Sequence, residues 1–253
     1  SHCEITDDNH IGPGNQHGVY MEWSGSNVVK ENAIDDNEKN GVHIVWSQGS
    51  NEMDGNEIND HVDGIYLYGG KEAGAGVEEI VGNTIHNNTR GIHLQHFCQA
   101  RIWSGPTYDW DNRNSIESNE VGIYLERCLC SATDYNQIAS TLIRDNSRGI
   151  DVRSSMETKI VEKNIIRENA EAGIYVFDSS KTDIHGENVI GPDNGNGIAL
   201  YQCQAASDAP NEIRGNVIRD NHKHGVYLER SYGTAVGDDD EAVVGEDAGV
   251  AVG

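Results

Sequence analysis

The sequence predicts an all-β chain: one parallel β-helix of about ten coils over residues 1–253, with three short strands in each coil. Three observations predict it. One phrase recurs, as in "NAIDDNEKNGVHIV" (32–45), "NTIHNNTRGIHLQ" (83–95) and "NVIRDNHKHGVYLE" (216–229). Its Gly falls at Gly18, Gly41, Gly64, Gly91, Gly122, Gly149, Gly173, Gly197 and Gly225, spaced by 23 to 31 residues. Its apolar runs ("GIYL", "GVHI", "GIDV") are short and alternate with period two, without helical spacing. A repeat of this length is one structural unit stacked on its neighbours.

Each coil is read in the same order. A first strand carries Ile5, Val28, Met53, Ile80, Ile138, Ile160, Ile184 or Ile213. A second carries an aliphatic residue such as Ile11, Ile34, Ile85 or Ile218. The third follows Gly, and its first residue forms an expected inward column: Val19, Val42, Ile65, Ile92, Ile123, Ile150, Ile174, Ile198 and Val226. Coils end near Met21, Ile44, Leu67, Leu94, Leu125, Val152, Val176, Leu200, Leu228 and Val252. The last copy, "EAVVGEDAGVAV" (241–252), puts Glu241 and Glu246 where other copies have Asn. The Asn residues belong at corners, where Asn tolerates unusual backbone angles and its amide satisfies neighbouring backbone groups. Gly opens the third strand because a Cβ there would crowd the corner.

Acidic residues outnumber basic ones 42 to 18, only seven of the latter being Lys, for a net charge of -24. That excess repels nucleic acid and anionic membranes. There is no run of 18 apolar residues for a membrane span and no visible signal peptide, and the chain starts inside the repeat, as a mature or excised form would. The acidity is similar to that of proteins from hypersaline habitats. Folding is therefore expected to require salt, since carboxylates repel across a Debye length of roughly 30 Å at 0.01 M. Unfolding midpoints should rise from low to high salt; flat midpoints would refute this.

The motif N-x-I-x-x-N-x-x-x-G-I-x-L, as in Asn32–Ile44 and Asn164–Val176, resembles the repeat of right-handed parallel β-helix proteins. These include pectin-lyase-like enzymes, the carbohydrate-binding and sugar-hydrolase group, and copper-maturation proteins of the NosD type. The resemblance covers nearly the whole chain and concerns structural residues. It implies an extracellular or cell-surface protein that binds, and as an enzyme would cleave, a polysaccharide. A structural or adhesive rod and a NosD-like copper-maturation factor are the alternatives. The chain lacks the Asp-Pro-His of mannuronan epimerases and the Gly-His-Gly and Arg-Ile-Lys of polygalacturonases.

Alternation places the residue two after Gly on the outer face: Tyr20, His43, Tyr66, His93, Tyr124, Asp151, Tyr175, Ala199 and Tyr227. Two residues further on come Tyr68, Gln95, Glu126, Arg153, Phe177, Tyr201 and Glu229 among others. A sugar chain along this ladder would stack on Tyr66, Tyr68, Tyr175, Phe177 and Tyr201. A ladder chosen for strand propensity and cross-strand stacking reads equally well. His93, Tyr124, Glu126, Asp151 and Arg153 lie on three successive coils. His93, Tyr124 and Arg153 suit a lyase, as base, proton donor and carboxylate-binding cation; Glu126 and Asp151 suit a glycosidase. A surface ion-pair cluster is the competing reading.

The links after the third strand are long at 68–79, 95–113, 126–136 and 201–212, and are expected to wall a cleft, with Trp103 and Trp110 contributing. Cys3 is expected to be a buried thiol. Cys98 is expected to pair with Cys128 or Cys130, as suits an extracellular chain. His96, Cys98, Cys128 and Cys130 also offer a Cys₃His set for zinc or copper. No cofactor is otherwise implied, since Asp238–Glu241 reads as solvated surface and not as a calcium site.

Overall fold

The strands are two to six residues long, and each finds its partner one coil away. The computed structural model describes residues 2–69, 76–106, 110–204, 210–237 and 250–252. Among these, three parallel sheets of ten, nine and ten strands wrap one interior as a right-handed parallel β-helix. The first sheet begins with Glu4–Ile5, the second with His10–Ile11 and the third with His17–Glu22. Register keeps like beside like: Val19 pairs with Val42, Ile92 with Ile123 and Ile150 with Ile174. All nine members of the expected inward column are buried, most of them completely. Each such side chain contributes about 1.5–3 kcal/mol by leaving water. The strand at Val250–Val252 pairs with Val226–Leu228, whereas Asp238–Glu241 and Glu246 lie outside the described residues.

The Asn corners are ladders. Asn146 donates its backbone N–H (3.2 Å) and Nδ2 (3.1 Å) to Asn169 Oδ1, and Nδ2 also donates to the carbonyls of Arg144 (2.8 Å) and Ile116 (3.2 Å). One buried amide thus satisfies the turn and ties it to the next coil. The expectation that Asn itself adopts the unusual backbone angle is corrected. The left-handed residue is the one before: Glu31, Asp36 and Lys163 have φ of 55°, 51° and 64° ahead of Asn32, Asn37 and Asn164. The Asn follows it and turns its amide inward. His61 replaces one Asn: its Nδ1 accepts from the Asn37 N–H at 3.2 Å and its Nε2 meets the Ile34 carbonyl at 3.1 Å, which assigns the proton to Nε2.

The Gly at the start of the third strand has the expected cause. A Cβ on Gly122 would lie 2.6 Å from the Gly149 carbonyl oxygen and 3.1 Å from Ile143. It would point inward, as does the next residue, Ile123, which is fully buried. Two successive inward positions shift the pleat by one step. The register accordingly pairs the residues on either side of Gly but skips Gly itself. The residue before Gly is thereby turned outward, with consequences for the site.

Cys98 and Cys130 form a disulfide, with Cα atoms 5.5 Å apart, on the links leaving neighbouring third strands. Cys128 is instead a corner residue: its N–H donates to Ser155 Oγ (3.1 Å), its thiol bonds the Leu94 carbonyl (3.4 Å), and burial pushes it up to about 11. Cys3 is exposed and not buried as expected. It stands at the corner opposite Asn27, where no further described coil covers it. Trp103 ends a strand of the first sheet, Ala100–Trp103, with its indole N–H on Glu79, so it does not wall the third sheet as expected. Trp110 opens a short 3₁₀ turn, Trp110–Asn112; its side chain and Tyr108 lie outside the described residues.

Candidate functional site

On the outer face of the third sheet, rings stack coil upon coil. Tyr20, His43, Tyr66, His93 and Tyr124 follow one another with centroid separations of 5.2, 4.8, 4.6 and 5.0 Å. Parallel register supplies the spacing, because each ring sits directly over its strand partner. Asp151 interrupts the stack in the next coil. Beyond Ala199, which has no ring, the ladder sidesteps through Tyr201, 5.1 Å from Tyr175 and 5.4 Å from Tyr227. Phe177 pairs with Arg153 on one side and Tyr201 on the other.

Two of the expected reactive residues are covered by their neighbours. His93 is 4% exposed, held between Tyr66 and Tyr124, and its Nδ1 lies 3.4 Å from Asp63. Apart from that contact, its ring nitrogens have no hydrogen-bond partner among the described residues. The expectation that His93 meets a substrate as base is not met by this geometry. Asp151 is 1% exposed and gripped by two arginines. Arg153 binds it through Nε (2.9 Å) and Nη2 (3.0 Å), and Arg148 through Nη1 (2.8 Å). Asp151 is therefore an acceptor that orients guanidiniums. Its supposed partner Glu126 is occupied separately: Gln95 Nε2 donates to it at 2.9 Å, while Gln95 Oε1 accepts from the Tyr66 hydroxyl at 2.5 Å.

Sequence reasoning missed Asp63, Arg90 and Arg148. All three immediately precede the coil Gly and share one register column. Strict alternation sends that position inward; the step of the pleat at Gly sends it outward. Arg90 grips Asp63 through Nε and through Nη2 at 3.1 Å, and its guanidinium stands 5.9 Å from the Tyr124 ring centroid. Arg153 faces the same ring at 5.9 Å. Together Arg90, Arg148, Arg153, Asp151 and Tyr124 line a depression of about 210 Å³, completed by Thr89, Glu120 and Val121. Its walls rise from the starts of the third strands and not, as expected, from the long links at their ends.

Burial and charge set the protonation states. Burial raises the Asp63 carboxyl, but the contacts with His93 and Arg90 outweigh it, leaving Asp63 below the usual carboxylate range. Burial raises Tyr124, with Glu126 adding to the effect, and pushes Tyr66 up to about 12. Both phenols stay protonated at neutral pH as donors. Burial also brings His43 from 6.5 down to about 4. The folded state thus favours neutral His43, and its stabilisation is complete above pH 6.5 and lost as pH falls to about 4. After discounting for partial exposure, about 2 kcal/mol should be lost across that window. The ring-preserving variant His43→Phe should lose less between pH 7 and pH 4.5; equal losses in urea unfolding would refute the assignment.

The metal set suggested by the sequence is not assembled. Cys98 and Cys130 are spent on each other, and Cys128 faces the Leu94 carbonyl. Among the described residues no three His, Cys, Asp or Glu side chains come together as a metal group.

Comparison with known proteins adds two findings. A family model described as "Periplasmic copper-binding protein (NosD)" matches residues 1–128 and 104–238. Two mutant crystal structures of the periplasmic alginate epimerase AlgG resemble the fold. One has a TM-score of 0.57 and 17% identity, covering 93% of this chain and 47% of AlgG. The other has a TM-score of 0.60 and 16% identity, covering 89% and 50%. The chain thus spans about half the length of that enzyme, and the likeness is one of fold. No curated protein matches the sequence.

Proposed function

The chain belongs to the NosD family, and we propose that it binds an acidic polysaccharide along the outer face of its third sheet, with the depression around Tyr124 receiving a sugar carboxylate. One observation carries this reading: three arginines line one depression in a chain of net charge -24, Arg90 and Arg153 facing the Tyr124 ring and Arg148 facing Tyr175. Asp63 and Asp151, which orient them, are buried, and Arg148 Nε also binds the exposed Glu171 at 2.6 Å. Arg153 spends Nε and Nη2 on Asp151, so Nη1 remains outside that grip for a ligand carboxylate. Tyr124 contributes a protonated phenol as hydrogen-bond donor, and Glu126 stands in the neighbouring outward column for sugar hydroxyls. Tyr66, Tyr175 and Tyr201 extend the face on which sugar rings stack. His93 serves inside the stack as a support for Tyr124. Because the Asp-Pro-His of mannuronan epimerases is missing, the proposal stops at binding.

An extracytoplasmic location accompanies this reading. The family is described as periplasmic, and a disulfide persists in an oxidising compartment. The same family description names copper. The described residues do not fit a copper centre, since the Cys pair is closed and no ligand group converges, so no role is derived through the metal.

Alginate is the natural probe, being the polymer named for the structurally similar epimerase. Calorimetric titration with alginate oligosaccharides at low salt should give binding that weakens with salt. Arg148→Gln/Arg153→Gln should reduce affinity at least tenfold, and a neutral dextran should not compete. Wild-type protein that binds neither alginate nor polygalacturonate, or variants that bind as tightly as wild type, would defeat the reading.

A further inference from the structure

We propose that Trp23 and Trp46, continued by Tyr68 and His96, form a second sugar-binding shelf on the corner that follows the third strands, independent of charge and separate from the arginine depression. The proposal rests on the reading of the chain as a glycan binder and adds a subsite to it.

Trp23 and Trp46 are 56% and 37% exposed. Their indoles are nearly parallel, with an interplanar angle of 12° and centroids 5.6 Å apart. Both residues have left-handed backbones, at φ of 50° and 52°. A bulky aromatic residue is disfavoured there. The fold does not ask for Trp at this corner. Later coils fill the same position with Arg127, Ser154, Asp178, Gln202 and Arg230, also at positive φ. Two adjacent coils therefore carry an exposed, unfavourable pair of rings where polar residues suffice elsewhere. In the next coil the position is Gly69, at φ 90°, and a Cβ on it would lie 2.8 Å from the Trp46 ring. The chain leaves room for that indole and holds it in place.

The shelf is continuous with further features along the same corner. Trp46 meets the Tyr68 ring edge-on at 5.9 Å, and Tyr68 meets His96 at 6.1 Å. His96 then lines a groove of about 440 Å³ with Arg127, Leu129, Ser154, Met156 and Asp178. A flat, rigid, solvent-facing indole pair suits the apolar C–H face of a pyranose ring, while the mixed groove beyond offers partners for hydroxyls. Rings stacked in this way do not depend on the sugar's charge. The shelf thus suits the body of the chain, whereas the arginine depression suits its carboxylates.

The test compares Trp23→Ser/Trp46→Ser with Arg148→Gln/Arg153→Gln, titrated with alginate oligosaccharides at low salt and in 1 M NaCl. Ser occupies this corner at Ser154, so the Trp variant should keep its melting temperature. At 1 M salt, with a Debye length of about 3 Å, the arginine contribution is screened. The residual affinity should then fall at least tenfold in the Trp variant and hardly change in the arginine variant. Trp46→Phe, which keeps a ring, should retain most of the binding. A Trp variant that matches wild type at both salts overturns the shelf and leaves the arginine reading standing. Arginine variants without effect, with Trp-dependent binding intact, overturn the arginine reading and keep the shelf. Wild type that binds no probe overturns both. If the Trp variant loses only self-association in sedimentation, the patch joins two copies of the chain and the shelf is overturned.

Discussion

Ile150→Asp should destabilise the protein by several kcal/mol. Ile150 is fully buried, between Ile123 and Ile174 in the column beneath the third sheet. The substitution forfeits about 2–3 kcal/mol of apolar burial. It also places a carboxylate where no partner is available, so the group must be neutralised or the coil must open. The combined loss should exceed about 4 kcal/mol, a large share of a domain's stability. Urea unfolding followed by circular dichroism measures it directly. A variant with a midpoint near that of the wild type would show that the column is not the core. The neighbouring residue, Asp151, tolerates its charge because its side chain meets two guanidiniums on the opposite face.

Asn146→Leu should cost nearly as much, although it replaces a polar residue by an apolar one of similar size. Asn146 Oδ1 accepts from the backbone N–H (3.0 Å) and Nδ2 (3.1 Å) of Asn119, and its own Nδ2 serves the Arg144 and Ile116 carbonyls and Asn169 Oδ1. Leucine leaves those partners buried and unpaired. Each orphaned group costs about 1–3 kcal/mol, so a total near 3–5 kcal/mol is expected after partial relaxation. Asn146→His should lose clearly less, because His61 already fills a corner of this ladder. Equal losses in the two variants would show that the amide network contributes little. The Leu variant should also weaken alginate binding in the surviving folded fraction, because Arg148 leaves the chain only two residues later.

The candidate site was legible in part, and the division has a mechanical cause. Tyr124, Asp151 and Arg153 could be placed on the outer face because period-two alternation holds after Gly. Asp63, Arg90 and Arg148 could not, because the pleat steps at Gly and alternation fails one residue earlier. A sequence signal exists for them: Arg90 and Arg148 both precede the coil Gly, two coils apart. The accessibility of His93 could not be read either, because it depends on rings contributed by the coils above and below. The disulfide was readable to within one partner. Cys128 and Cys130 differ by two positions, and only the corner geometry turns Cys128 toward the Leu94 carbonyl and leaves Cys130 to Cys98.

The repeat by itself determined the fold, the three-strand coil and the inward column, because each is a local rule written again in every copy: aliphatic residues at fixed offsets, Asn at corners, Gly before the last strand. Stacking like on like then satisfies burial and hydrogen bonding together. The tertiary structure alone decided which outward residues stay accessible. Outward direction is local, but exposure is set by the neighbouring coils. They cover His93 and Asp151, bring three arginines to one depression, and leave Trp23 and Trp46 facing solvent.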